Sequence, residues 1–493
     1  MHKKISREKE KKVRKLLRNG GIVILALMAL TFVSCGKTSA KKNVTKVQVM
    51  VGFGTGTDPS QIAVHEQIQK EFNQTVGKEK GIELEFLTVQ YSDASTKFTT
   101  LVAGGMTPDI CGPVGVMGVA NFIDEWMDIE PFITRDNFDL SGYDQALIDT
   151  NRYNIMGEKK LVGLPIGFYP SAVYYNEDIF DRHGIEYPPS EWGTPDWTYE
   201  KLYEIAKIMT VDEKGRTPAD AGYDMKNVAQ YGYDGGDWSP WRAFVGKFFD
   251  DNGNSVCLGV TPDYKTATMN SKEWKAAFKE LERQIFVDKI RPQEGGSTLF
   301  GDNDPLGSNK LAMWEVFSWM SYAYEGWDAN FNWNIGAVPS MKGHIVAPVN
   351  ADTFVMCKSA KNHDAAWEVY KWLFSSEIYS KLCKNYGGIP ALKDLQDNWV
   401  KDQREGVKDE DGEYLWNQYP RPEKNWEVLL GAGAYADNPN NESWVPNFQK
   451  VWDAMEQAMA NVIAHIYDTT DQLAEELNDE VQGYLDEFWA AQK

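Results

Sequence analysis

The sequence predicts an α/β protein of more than one lobe, and three observations carry that expectation. The first is a β-α-β-α-β order between residues 47 and 111. The second is a β-branched and aromatic stretch framed by prolines, Leu164 to Phe180, built to cross between lobes. The third is length: 493 residues exceed what one hydrophobic core usually organises.

Val47-Gln-Val-Met-Val51 reads as a strand leading into the glycine-rich loop 52–58. Val64, Ile68 and Phe72 recur at helical spacing, and Ile82, Leu84 and Phe86 alternate with Glu83 and Glu85 as a half-buried strand does. Phe98, Leu101 and Val102 mark a second helix ended by Gly104-Gly105, and Pro108 to Cys111 a third short strand. Strands alternating with helices imply a parallel sheet, whose ligands sit outside the carboxyl ends of the strands. That rule points to the loops 52–58 and 112–118, and so to Gly54, Asp58 and Gly112. A dinucleotide fingerprint at Gly52, Gly54 and Gly56 fails, because residue 57 is Thr where the third glycine is required.

In the crossing stretch, Ala172-Val-Tyr-Tyr175 predicts a strand and Asn176-Glu-Asp178 a helix start, while Pro165 and Pro170 exclude helix around Tyr169. Thr198 is expected to cap a helix buried through Leu202, Ile205, Ala206 and Met209. Residues 211–235 read as a surface excursion, and Gly235 to Trp241 as the entrance to an apolar helix reaching Phe248 and Phe249. Trp274, Phe278 and Leu281 mark another helix, and Thr353 to Cys357 an apolar strand. Trp367, Tyr370, Leu373 and Phe374 keep helical spacing, as core residues do. Residues 393–443 read as an inserted, charged surface region, and two amphipathic helices close the chain, one of them carrying Trp452.

A net charge of −21 excludes nucleic acid as a partner, since phosphate recognition needs basic patches. The five cysteines form no CxxC pair and the six histidines are scattered, so no metal site or cofactor is expected; acidic turns such as Asp409 to Gly412 read as solvated loops. Separate buried thiols are the expectation for Cys111, Cys257, Cys357 and Cys383. The 18 Trp, 23 Tyr and 22 Phe can fill a large core or line a ligand cleft.

Residues 1–20 hold nine Lys or Arg against two Glu, followed by an apolar run from Ile22 to Val33 that is shorter than the ~18–20 residues of a membrane span. That order predicts an export signal over residues 1–34. Phe32-Val-Ser-Cys35 resembles the bacterial lipobox, with Phe32 in place of the usual Leu. The resemblance implies a lipidated Cys35, a tether over 35–43 and an extracytoplasmic, membrane-anchored protein; cleavage elsewhere or an uncleaved anchor are the other readings.

Five segments in collinear order resemble the family 1 extracellular solute-binding proteins, the sugar receptors of ABC importers related to maltose-binding protein. They are Ala103 to Asp109, Val173 to Phe180 with Gly184, Pro188-Pro189 and Trp197-Thr198, Asn309 to Met313 with Trp319, Lys361 to Trp367, and Gly387 to Pro390. Phe317 stands where the family often has glycine. The resemblance implies a two-lobed, periplasmic-binding-protein type II-like fold with discontinuous domains and a hinge. Lobe one is expected at 44–168 plus 350–398, and lobe two at 169–349 plus 399–493. It implies a monomeric, non-enzymatic receptor that delivers a carbohydrate, most simply an oligosaccharide, to the transmembrane subunits of a permease. The ligand set it implies comprises Tyr169 at the first crossing, Asp237, Trp238 and Trp241 on a lobe-two loop, Trp319 and Trp452 as stacking rings, and Gly387 and Gly388 as backbone donors. The alternatives are a peptide or other non-sugar solute in the same fold, or an anchored glycoside hydrolase using Asp237 and Glu315.

Overall fold

The computed structural model describes residues 44–155, 157–235, 247–408, 412–414, 418–436 and 444–493. Cys35 and the whole segment 1–43 therefore lie outside the described residues, as do Asp237, Trp238 and Trp241 and most of the acidic turn at 409–412.

The chain opens with β1 (Thr45–Val51), α1 (Pro59–Gln74), β2 (Ile82–Thr88), α2 (Tyr91–Ala103) and β3 (Ile110–Val114). β1 lies between β2 and β3 and runs parallel to both, as the alternating strand and helix pattern requires. After a small hairpin comes β4 (Gly163–Asn176), then α3 (Glu177–His183), α4 (Tyr199–Met209), β5 (Val228–Gly235), α5 (Lys272–Glu282), β6 (Leu311–Phe317), β7 (Trp333–Gly336) and β8 (Val349–Met356). The chain ends in α6 (His363–Leu373), α7 (Ser376–Tyr386), β9 (Ile389–Pro390), α8 (Phe448–Ala464) and α9 (Thr470–Ala491), with shorter helices between.

β4 organises this order. All 14 of its residues are buried, so it reads as a continuous apolar run rather than an alternating one. Its first half, Gly163 to Pro170, pairs antiparallel with β8 on one edge, and Gly167-Phe168 with β9. Its second half, Ser171 to Asn176, pairs with β6 and β7. The neighbours change around Pro170, which has no N–H to give: Ser171 N–H still donates to Pro348 O at 2.8 Å, just before β8, but on the other edge Ser171 already stands opposite Phe317 of β6. Side chains alternate across the strand. Tyr174 joins an aromatic cluster with Tyr324, Trp327 and Trp333, its hydroxyl 2.8 Å from that of Tyr324, whereas Tyr175 meets Phe180 and Tyr187. Asn176 ends the strand by accepting from Ile179 N at 3.0 Å, the expected cap, and Thr198 accepts likewise from Lys201 N to start α4.

Three expectations are corrected. Residues 228–235 are not surface excursion but β5, parallel to β6, with Tyr231 and Tyr233 buried. The loop-like composition has a packing reason: a side chain on Gly232 would stand 2.0 Å from Ala206 O, and Gln230 is held by Met209 O. Residues 421–430 belong to the core rather than to a surface insertion; Trp426 is fully buried and Arg421 pairs with Asp328 at 2.6 Å. Phe248 and Phe249 are not helical; Phe249 bridges Ser255 instead. The four described cysteines are buried and none is in a disulfide, with Cys111 of β3 and Cys357, just after β8, facing each other at 3.7 Å.

Asn176 also donates to Asn309 Oδ1 at 2.7 Å, tying the end of β4 to the turn before β6. Asn176→Ala removes both bonds and is expected to lower stability by about 1–2 kcal/mol in chemical denaturation; an unchanged midpoint would contradict the role of this cap.

Candidate functional site

Strand ends converge where β4 changes partners. The loop after β1 brings Phe53, Gly54, Thr55 and Asp58, the end of β3 brings Gly115, and β4 itself brings Tyr169. β8 contributes Asn350 and Asp352, the turn after β6 contributes Trp319 and Tyr322, and the turn between α7 and β9 contributes Gly387 and Gly388. These residues line two cavities of about 770 Å³ and about 590 Å³, which share Trp319, Tyr322 and Asp352. Both volumes lie within the range of small-molecule sites.

Trp319 is half-buried, with Phe317 stacked on it at 4.2 Å between centroids and 16° between planes. The residue that departs from the family's glycine is thus the ring that braces the indole. Tyr169 is buried, its hydroxyl 3.5 Å from Tyr386 O; burial, together with the neighbouring Asp352, holds its phenol well above the usual value. A side chain on Gly388 would stand 2.9 Å from that hydroxyl, so the glycine makes room for the tyrosine. Asp352 is half-buried, and loss of solvent pushes its carboxyl up to about 7.

The turn carrying Gly387 and Gly388 is fastened to α1. Gln61 Nε2 donates to Asn385 O at 2.8 Å, and His65 Nε2 lies 2.9 Å from the Tyr386 hydroxyl. His65 stacks on Phe86 at 4.9 Å, and burial lowers it to about 4.

Of the expected site residues, Gly54, Asp58, Tyr169, Trp319, Gly387 and Gly388 line the cavities. Gly387 does so as a turn residue at φ 73°, and its N–H closes α7 on Cys383 O rather than facing a ligand. Gly112 lines neither cavity: β3 runs on to Val114, so the loop begins at Gly115, and Gly112 lies under the Phe354 ring, which a side chain there would meet at 2.3 Å. Trp452 lines neither cavity; it is buried in α8 beside Phe448, in the core that α8 and α9 share with α5. Asp237, Trp238 and Trp241 lie outside the described residues. Asp352, Tyr322 and Asn350 were not singled out from sequence. A lone acid inside the apolar run Val349 to Met356 is the signal that marks Asp352.

Glu315, the acid a hydrolase would need, lines neither cavity. It is buried, and its oxygens accept from Tyr199 at 2.9 Å, Tyr233 at 2.8 Å and Lys247 at 3.1 Å. A carboxylate so engaged cannot reach a glycosidic bond. Among the described residues no group of three His, Cys, Asp or Glu could hold a metal ion, and no helix is long and apolar enough to cross a membrane.

The family model of the bacterial extracellular solute-binding proteins matches residues 67–408. The chain belongs to that family. Two curated relatives described as binding proteins, from Brucella abortus (strain 2308) and Brucella suis biovar 1 (strain 1330), are 23% identical over 338 residues, covering 67% of this chain and 72% of theirs. Solved structures share the two-lobed α/β fold. An ABC substrate-binding protein of Listeria monocytogenes in complex with cycloalternan matches with a TM-score of 0.65 at 19% identity, over 90% of this chain and 99% of its own. A cyclic α-maltosyl-1,6-maltose binding protein of Arthrobacter globiformis matches with 0.65 at 16%, over 90% and 99%.

In this solute-binding protein His65 refuses a proton that the unfolded chain accepts below pH 6.5. Stability should therefore fall as pH drops from 6.5 to about 4, with His65 contributing on the order of 3 kcal/mol of that fall. His65→Gln, which keeps a partner for Tyr386, is expected to flatten this part of the stability profile; an unchanged slope would contradict the buried neutral imidazole.

Proposed function

We propose that the chain is the receptor of an ABC importer that captures an oligosaccharide between its lobes and presents it to the permease's transmembrane subunits. It acts as a monomer held on the outer membrane face by a lipid on Cys35, with residues 36–43 as tether. The observation that carries the reading is the pair of cavities meeting at Trp319 and Asp352. A sugar ring offers an apolar C–H face, which packs on an indole, and hydroxyls, which bond to carboxylates, amides and phenols. Trp319, Tyr322, Asn350 and Asp352 supply that mixture at one junction. The sugars held by the structural neighbours, cycloalternan and maltooligosaccharides, are of the same chemistry.

Residues 44–168 with 350–398 form lobe one, and 169–349 with 399–493 form lobe two. The partner change inside β4 supports the first boundary, and the packing of α8 and α9 on α5 supports the last assignment. Solute bridging the lobes favours a closed arrangement by its differential affinity, which the permease then reads.

A thermal-shift screen of the protein against oligosaccharides, peptides and polyamines tests the reading. At least one oligosaccharide at about 100-fold its Kd should stabilise the fold by about 2.7 kcal/mol, and Trp319→Ala should lose that shift while remaining folded. Stabilisation by peptides or amines alone would replace the substrate class.

A further inference from the structure

Asp352 occupies a place that regular pairing would not give it. The register of β8 slips against β4 between Asp352 and Thr353, and against β3 between Thr353 and Val355. Such irregularities re-aim a side chain out of the strand's alternation. The carboxylate lies between two glycines at the ends of neighbouring strands. A Cβ on Gly54 would stand 3.2 Å from its Oδ2, and one on Gly115 3.5 Å from its Oδ1. Both cavities reach it. Burial alone accounts for its raised pKa, and among the described residues none donates a hydrogen bond to it. A half-buried carboxyl that faces two cavities, with no donor to it among the described residues, keeps its capacity to accept hydrogen bonds for a ligand.

We propose that Asp352 is the acceptor for two hydroxyls of a sugar ring lying across the junction of the two cavities, and so a specificity residue of the receptor. The inference rests on the carbohydrate reading above. An ionised carboxylate only accepts, through two oxygens. Its fitting partner is a neutral sugar with adjacent free hydroxyls; uronates and sugar phosphates would bring like charge against it.

The surrounding groups are identifiable. Tyr169 from β4 and Tyr386 from the end of α7 face Asp352, and burial holds both phenols far above neutrality. Asp58 shares the larger cavity and Asp304 the smaller, where Asp304 accepts from Gly307 N and the Trp327 indole. On the far wall of the larger cavity Lys384 is paired with Asp402, and Lys381 with Glu71. Donation from two hydroxyls favours the ionised carboxylate, so binding lowers its pKa from about 7 and releases up to one proton near neutrality. Affinity should be greatest above pH 8 and weaken as pH falls through 7, with a limiting slope of tenfold per unit.

Isothermal titration of the full-length protein with maltotriose, maltotetraose, cellotriose and xylotriose, at pH 8 and pH 6 in two buffers of different ionisation heat, tests this. Wild type should bind at least one of them, weaken roughly tenfold between pH 8 and 6, and release a fraction of a proton at pH 7. Asp352→Asn should raise Kd ten- to hundredfold at pH 8, abolish the pH slope and the proton release, and melt no lower than wild type. Wild-type affinity and slope in Asp352→Asn would overturn the role of Asp352 while leaving the carbohydrate reading intact. Failure of wild type to bind any of the four would overturn both.

Discussion

A β-strand has two hydrogen-bonding edges, and β4 changes partners on both between its two halves. β8 pairs with Gly163 to Pro170 on one edge and β9 with Gly167-Phe168 on the other, whereas β7 and β6 take those edges in the second half. The continuous backbone therefore belongs to two sheets at once. On the proposed reading, the lobes diverge where the partners change, and the candidate site is arranged around that point. Tyr169 sits one residue before the switch, Asp352 opposite Gly167 on the adjoining strand, and Trp319 two residues beyond the strand that pairs with Ser171.

The site is assembled from strand ends because those ends bring side chains together while the backbone groups behind them remain paired. It is also braced from behind. Phe317 supports Trp319, Gln61 and His65 fasten the turn that carries Gly388, and Gly388 leaves space for Tyr169. Beneath β6, Lys247, Tyr199 and Tyr233 hold Glu315 in the core. A buried ion pair of this kind is weak support for stability, but removing one partner would strand the other charge and be strongly destabilising. Its geometry fixes the strand from which Trp319 emerges.

Much of this was legible in the sequence where local chemistry and tertiary packing agree. The parallel β1, β2 and β3, the caps at Asn176 and Thr198 and the strand at Ala172 to Tyr175 all have signatures within a few residues. The failures have physical causes. β5 is written in Gly, Gln and Asp because its backbone lies against Ala206 and its polar side chains are satisfied internally, so composition mimics a loop. Gly112 was displaced by three residues because Pro113 and Val114 prolong β3. Trp452 follows helical spacing, and that spacing serves the core. Asp352 escaped because its position at the junction of the cavities depends on a register slip and on two glycines distant in sequence, which no local pattern records.

The central claim is that solute lies beside the partner change in β4, against Trp319 and Asp352. A crystal structure of the protein with a bound oligosaccharide tests it most directly. The account predicts a sugar ring packed against the Trp319 indole, with two hydroxyls within hydrogen-bonding distance of Asp352 and contacts to residues on both sides of the Pro170 to Ser171 switch. An oligosaccharide bound away from that junction, with Trp319 and Asp352 untouched, would contradict it.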